Sequence, residues 1–200
     1  MASSRSTPRL RLTIGLLALL LALVAVSERR FAAGWTGEVM QLAGLACVTC
    51  AALGRIWTSV FIAGFKDQVL VRSGPYAVVR HPLYAFSLLA MLGLGLATGS
   101  IAITLVLLVV FGTIYSVAAR DEDRYLRERH GVARERFERE VHSLRPRWSA
   151  YAVPESLEIR PRVLWKAFLD AGSLLAFYAL LGFADALQQH GVTPTWLTLA

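Results

Sequence analysis

The chain holds 200 residues, 56% of them hydrophobic and 18% charged, with a net charge of +7. A soluble domain sits nearer about 45–50% apolar and about 25% charged. A disordered chain and a collagen are therefore excluded, two cysteines are too few for a disulfide scaffold, and what remains is one integral membrane domain over 1–200 with a compact polar part.

Taken in chain order, Leu12–Val26 carries no charge and predicts a first span over 10–27. Its basic start (Arg5, Arg9, Arg11) also suits a signal peptide, but no small-x-small cleavage site precedes Glu28 and further spans follow. Val39–Leu53 predicts a second span over 37–54, closing the N-terminal part, 1–54. It contains Cys47 and Cys50, a spacing that fits either a redox pair or two small packing residues on one helix face. Leu83–Ala119 runs 37 residues without Asp, Glu, Lys or Arg, nearly two spans of about 20 residues each. Thr98-Gly99-Ser100 marks the turn of a hairpin over 83–97 and 101–119. Ala171–Ala184 extends to a last span over 164–187 that takes in Lys166, Asp170 and Asp185, and the part 164–200 adds a tail. The expected fold class is all-α, a helical bundle of about five transmembrane helices with a cytoplasmic amphipathic segment inside the part 55–163.

Charge sets the expected orientation. Of the Lys and Arg residues, 19 fall on one face of this arrangement and only Arg29 and Arg30 on the other. Positive residues favour the cytoplasmic side, so the N-terminus, the 55–82 loop and the 120–163 segment are expected inside and the C-terminus outside, in a bacterial inner membrane. Segment 120–147 carries nine Arg and seven acids. Leu126, His130, Ala133, Phe137, Val141 and Leu144 recur at helical spacing, which predicts one amphipathic helix on the inner leaflet with its Arg face toward anionic lipid. The basic excess thus needs the lipid bilayer as a partner and no nucleic acid.

Two places carry chemistry. The loop KDQVLVRSGPYAVVRHPLY gathers Gln68, Tyr76, Arg80, His81 and Tyr84 ahead of the hairpin. Gly74-Pro75 gives a turn and Pro82 suits the first turn of the next helix, so Arg80 and His81 would flank a helix N-terminus, which favours anions. Snorkelling cations on a plain loop would read the same way. Second, Asp121, Glu122 and Asp123 follow the uncharged run. Three acids at a helix C-terminus oppose its dipole, which points either to a cationic ligand or to pairing with Arg120, Arg124 and Arg127. The four histidines (His81, His130, His142, His190) avoid the apolar runs and none pairs at i, i+4, so no metal site is expected.

GPYAVVRHPLY, a hairpin, ARDEDRYLRERHG and then RPRW resemble the isoprenylcysteine carboxyl methyltransferase family, with its phospholipid N-methyltransferase and thiol S-methyltransferase relatives, over about residues 54–148. The resemblance implies a multi-spanning enzyme that holds S-adenosyl-L-methionine at the cytoplasmic face and methylates a lipophilic or membrane-delivered acceptor through a carboxylate, thiol or amine. By motif, Gln68, Val69, Leu70 and Val71 fall on the cofactor-lining stretch, Tyr76 on a cofactor-contacting tyrosine, His81, Pro82, Leu83 and Tyr84 on the HP-x-Y motif, and Glu122 on the cofactor-binding acid. Arg80, Arg145 and Arg147 are candidates for holding an acidic acceptor.

The chemistry suits such a cofactor: one acid balances a cation, Arg80 and His81 meet a carboxylate, and Tyr76 and Tyr84 face a sulfonium or stack on adenine. The chain departs from the family pattern at Phe86, where a small residue is usual, at Arg134 and Phe137 in the G-x-x-Y-x-x-Y string, at His142, and at Ala118, where eukaryotic members carry a substrate-binding Arg. Two other readings stay open: an NADPH-dependent membrane reductase of the sterol or steroid type, and a non-enzymatic membrane protein with a basic amphipathic collar.

Overall fold

The computed structural model describes residues 35–62, 70–143, 145–157 and 159–190, with short pieces at 15–16, 18–19, 27–29 and 197–199. Six helices are described: α1 (Trp35–Ile62), α2 (Pro75–Val78), α3 (Pro82–Ala97), α4 (Ile101–His130), α5 (Val132–Glu140) and α6 (Pro161–Gln189). Ser27–Arg29 (β1) pairs in parallel with Leu197–Leu199 (β2), in the register Ser27 to Leu197. The fold is an all-α bundle, as the charge-free runs predict. Among the described residues α1, α4 and α6 are long and apolar enough to cross a membrane, and α3 is a shorter apolar helix. The predicted first span lies mostly outside the described residues; of it, Leu16 packs against the core.

The core forms where α1, α3, α4 and α6 meet, around Val48, Ala51, Ala90, Met91, Leu94, Leu107, Phe111 and Leu181. Lipid tails are as apolar as these side chains, so close packing rather than exclusion of water holds the helices together, and small residues permit it. A Cβ on Gly93 would lie 2.6 Å from the Gly44 carbonyl oxygen, and one on Gly44 would lie 2.7 Å from that of Gly93. The α1 and α3 backbones therefore touch. Cys47 and Cys50 are free thiols on α1.

The hairpin turns where the sequence predicts. Gly99 takes φ +67°, open chiefly to glycine, and the Ser100 side chain caps α4 by accepting from the Ile103 N–H at 3.3 Å. Beyond it the structure corrects two expectations. Helix α4 does not stop near residue 119 but continues to His130, so Asp121, Glu122 and Asp123 are interior and Arg127, Arg129 and His130 occupy the favourable last turn. The predicted single amphipathic helix is broken at Gly131 (φ +50°) into the end of α4 and the short α5. Phe137 and Val141 are buried, Ala133 is exposed, and Leu144 lies outside the described residues.

Candidate functional site at the polar end of the bundle

The 70–81 loop is shaped by its own sequence and by a strap laid over it. Gly74 has φ +59°, and a Cβ there would lie 2.3 Å from the Phe61 ring, so both dihedral and space require glycine. Pro75 opens α2 and Pro82 opens α3, each where a missing N–H costs nothing. Segment 142–152 runs alongside. The Gly74 N–H donates to the Ala152 carbonyl at 2.7 Å, Arg80 N–H to His142 at 3.0 Å, and Arg147 N–H to Val78 at 3.0 Å. The loop is thereby held on both sides, although most of it has no regular structure.

This places the loop against the acids of α4. His81 is buried, 4% exposed, and its Nε2 lies 2.9 Å from Asp123 Oδ1. Its Nδ1 lies 3.8 Å from Glu122 Oε2. Tyr84 donates its hydroxyl to Glu122 Oε2 at 2.9 Å. The Tyr84 ring stacks on His81 (centroids 5.6 Å) and on Tyr115 of α4 (5.6 Å, 15° between planes).

The two acids have different environments. Asp123 is surrounded by the His81 ring and two guanidinium groups, Arg134 and Arg80, the latter with Nη1 at 3.5 Å. Arg134, itself buried, also donates from Nε to Glu138 at 3.1 Å, and Arg80 lies 3.6 Å from Glu138. Asp123 thus joins α3, α4 and α5 and its charge is spent inside the protein. Glu122 is 37% exposed at the side chain and faces the Tyr84 hydroxyl and the edge of His81.

A cleft of about 370 Å³ opens beside this cluster, lined among others by Arg80, His81, Tyr84, Tyr115, Arg120 and Asp123. Glu122 is not in its lining and meets it through Tyr84. Two buried polar atoms near it have no hydrogen-bond partner among the described residues, the Tyr76 hydroxyl and Arg80 Nε. Burial, with Glu122 and Tyr84 nearby, pushes the Tyr76 phenol far above its ordinary value, so it is a neutral donor.

The structure therefore brings Tyr76, Arg80, His81, Tyr84 and Glu122 to one place. Pro82 is buried behind them, Leu83 turns its carbonyl to the Ser87 hydroxyl at 2.7 Å, and Leu70 and Val71 are half-buried at the start of the described loop. Gln68 and Val69 lie outside the described residues. Arg145 and Arg147 are exposed and do not line the cleft. Sequence reading missed Asp123 as the partner of His81, and it missed Tyr115, Arg134 and Glu138. Tyr115 was within reach, since it stands seven residues before Glu122, two turns along one face. Arg134 was not, because the break at Gly131 turns it back toward Asp123.

A family model described as phospholipid methyltransferase matches residues 10–133. The cobalt-zinc-cadmium resistance protein CzcN of Cupriavidus metallidurans is 32% identical over 180 residues, 90% of this chain and 83% of the relative. The nickel-cobalt-cadmium resistance protein NccN of Alcaligenes xylosoxydans xylosoxydans is 30% identical over 165 residues, 82% of this chain and 77% of the relative. No solved structure matches significantly. The chain belongs to the phospholipid methyltransferase family.

Proposed function

We propose that the protein is a membrane-embedded methyltransferase that takes its methyl group from S-adenosyl-L-methionine and transfers it to a lipophilic or membrane-delivered acceptor. The observation that carries this reading is the Tyr84–Glu122 hydrogen bond, which joins the loop motif to the α4 acid at the end of the bundle. The residues fit such a cofactor. Glu122 is the acid not consumed by internal cations and would balance the ammonium or sulfonium. Tyr84 and Tyr76 supply aromatic faces for a cation or an adenine, and Arg80 and His81 supply positive or donor groups for a carboxylate. The partnerless Tyr76 hydroxyl and Arg80 Nε are the polar contacts such a ligand would complete.

The cofactor supplies an electrophilic methyl group on a cationic sulfur. The protein's part is to position the acceptor and exclude water. A carboxylate or thiolate acceptor needs no general base; an amine would have to arrive neutral. The transferring group loses positive charge, so one half-exposed acid favours binding while a ring of acids would retard the reaction. That agrees with Asp123 being paired with two guanidinium groups while Glu122 has none and stays partly exposed. The 19-to-2 division of Lys and Arg supports this end facing the cytoplasm.

The test is to incubate membranes containing the protein with methyl-labelled cofactor and identify the labelled product. Membranes from cells grown with and without cobalt or cadmium are compared, because two relatives are named for resistance that includes those metals. Protein-dependent label in a lipid or lipophilic small molecule is expected. Absence of label, together with stabilisation by NADPH but not by S-adenosylhomocysteine, would replace this reading with the reductase.

A further inference from the structure

One charged cluster is not explained by the site above. Arg55 on α1 donates from Nε to Asp170 Oδ2 on α6 at 3.1 Å, and its Nη atoms reach the same carboxylate and the Ser87 hydroxyl on α3. At 1.5 Å per residue, Arg55 lies about 10 Å from the C-terminal end of α1 and Asp170 about 13 Å from the start of α6. Arg55 stands two residues after the uncharged run Val39–Leu53 and Asp170 one residue before Ala171–Ala184, so the pair sits at the expected cytoplasmic edge of both spans, the level of the lipid head groups.

The pair is also unequal. The Arg55 side chain is 21% exposed and that of Asp170 is 50% exposed, with the exposed apolar Phe168 and Leu169 beside it. A carboxylate half exposed at the head-group level is only loosely held by its cation. Ser87, in contact with Arg55, is also bonded to the carbonyl of Leu83 and lies against Tyr115, whose ring stacks on Tyr84. A continuous line of contacts therefore runs from the half-exposed Asp170, through Arg55 and Ser87, to the tyrosine stack of the site.

We propose that Arg55 and Ser87 form an anion-holding subsite for the methyl acceptor, which is a single-tailed lipophile bearing a carboxylate or phosphate monoester. The acceptor enters between α1 and α6 from the bilayer and displaces Asp170 from the guanidinium. Asp170 is a resident stand-in for the acceptor's anion and keeps Arg55 paired until one arrives. The assignment rests on the methyltransferase reading for what the subsite serves, but its binding test does not need turnover.

The test uses the full chain in detergent micelles. The probes are 9,10-dibromostearate, its uncharged methyl ester, and 9,10-dibromostearoyl lysophosphatidate, each read by quenching of tryptophan fluorescence; Trp57 stands within a turn of Arg55. We expect at least one anionic probe to quench at severalfold lower concentration than the ester, and the one that does identifies the anion. Arg55→Gln should abolish that preference and Arg55→Lys should keep part of it. Asp170→Asn should strengthen it about threefold or more, because the competing carboxylate is gone. Equal quenching by anions and ester in the unaltered protein would overturn the subsite. So would a loss of preference in Asp170→Asn that parallels Arg55→Gln, since the pair would then only tie α1 to α6. S-adenosylhomocysteine binding is measured on the same samples. Intact cofactor binding without anion preference defeats the subsite alone, and absent cofactor binding with a retained preference defeats the methyltransferase reading alone.

Discussion

Tyr84 and Glu122, 38 positions apart in sequence, meet through a 2.9 Å hydrogen bond that joins the start of α3 to the polar extension of α4. The bond leaves Tyr84 stacked between His81 and Tyr115, so one tyrosine connects the loop motif, the acid and the apolar hairpin.

Cofactor binding should depend on this junction in graded fashion. Glu122→Gln removes the open charge and should weaken S-adenosylhomocysteine binding about tenfold or more, or about 1.4 kcal/mol. His81→Ala should do the same. Tyr84→Phe keeps the ring stack and loses one hydrogen bond, so its loss should be smaller, about 1 kcal/mol. Calorimetric titration in detergent measures all three. Unchanged affinity in Glu122→Gln would remove the acid from the site.

Asp123 should matter for stability more than Glu122 does. Asp123→Ala leaves the buried Arg134 with Glu138 alone and removes the carboxylate that His81 and Arg80 also share, and breaking a buried pair from one side costs up to about 3–5 kcal/mol. A large drop in melting midpoint is expected. Arg127→Ala, which breaks a solvent-exposed contact to Glu138, should leave the midpoint unchanged.

The contact between α1 and α3 should tolerate no added methyl group. Gly93→Ala puts a carbon 2.6 Å from the Gly44 carbonyl oxygen and should destabilise by about 1–3 kcal/mol. Gly182→Ala on α6, where nothing among the described residues lies within 4 Å, should be neutral or stabilising by up to about 1 kcal/mol. Thermal melts of the two variants side by side check the claim.

Orientation is tested by labelling from outside. In a background with Cys47 and Cys50 replaced by Ala, Ile101→Cys, exposed at the hairpin tip, should react with an impermeant maleimide on intact cells. Arg145→Cys, exposed at the opposite end, should react only after the membrane is opened. The reverse pattern would place the site on the outer face.

The sequence alone determined the helical class, the hairpin and its turn. Uncharged runs have few alternatives to membrane helices, and Gly99 and the Ser100 cap act within four residues of one another. It also marked the residues that gather at the site, because Pro75 and Pro82 fix the local backbone and His81 and Tyr84 lie within the same short motif. Only the tertiary structure decided which acid does what. Glu122 and Asp123 are adjacent and chemically alike, yet the rotation of α4 points one at Tyr84 and buries the other among His81, Arg80 and Arg134. That difference depends on where α4 continues and where Gly131 breaks it. Likewise, Arg55 and Asp170 are 115 positions apart, and no local pattern in either helix records that the packing of α1 against α6 brings their charges together.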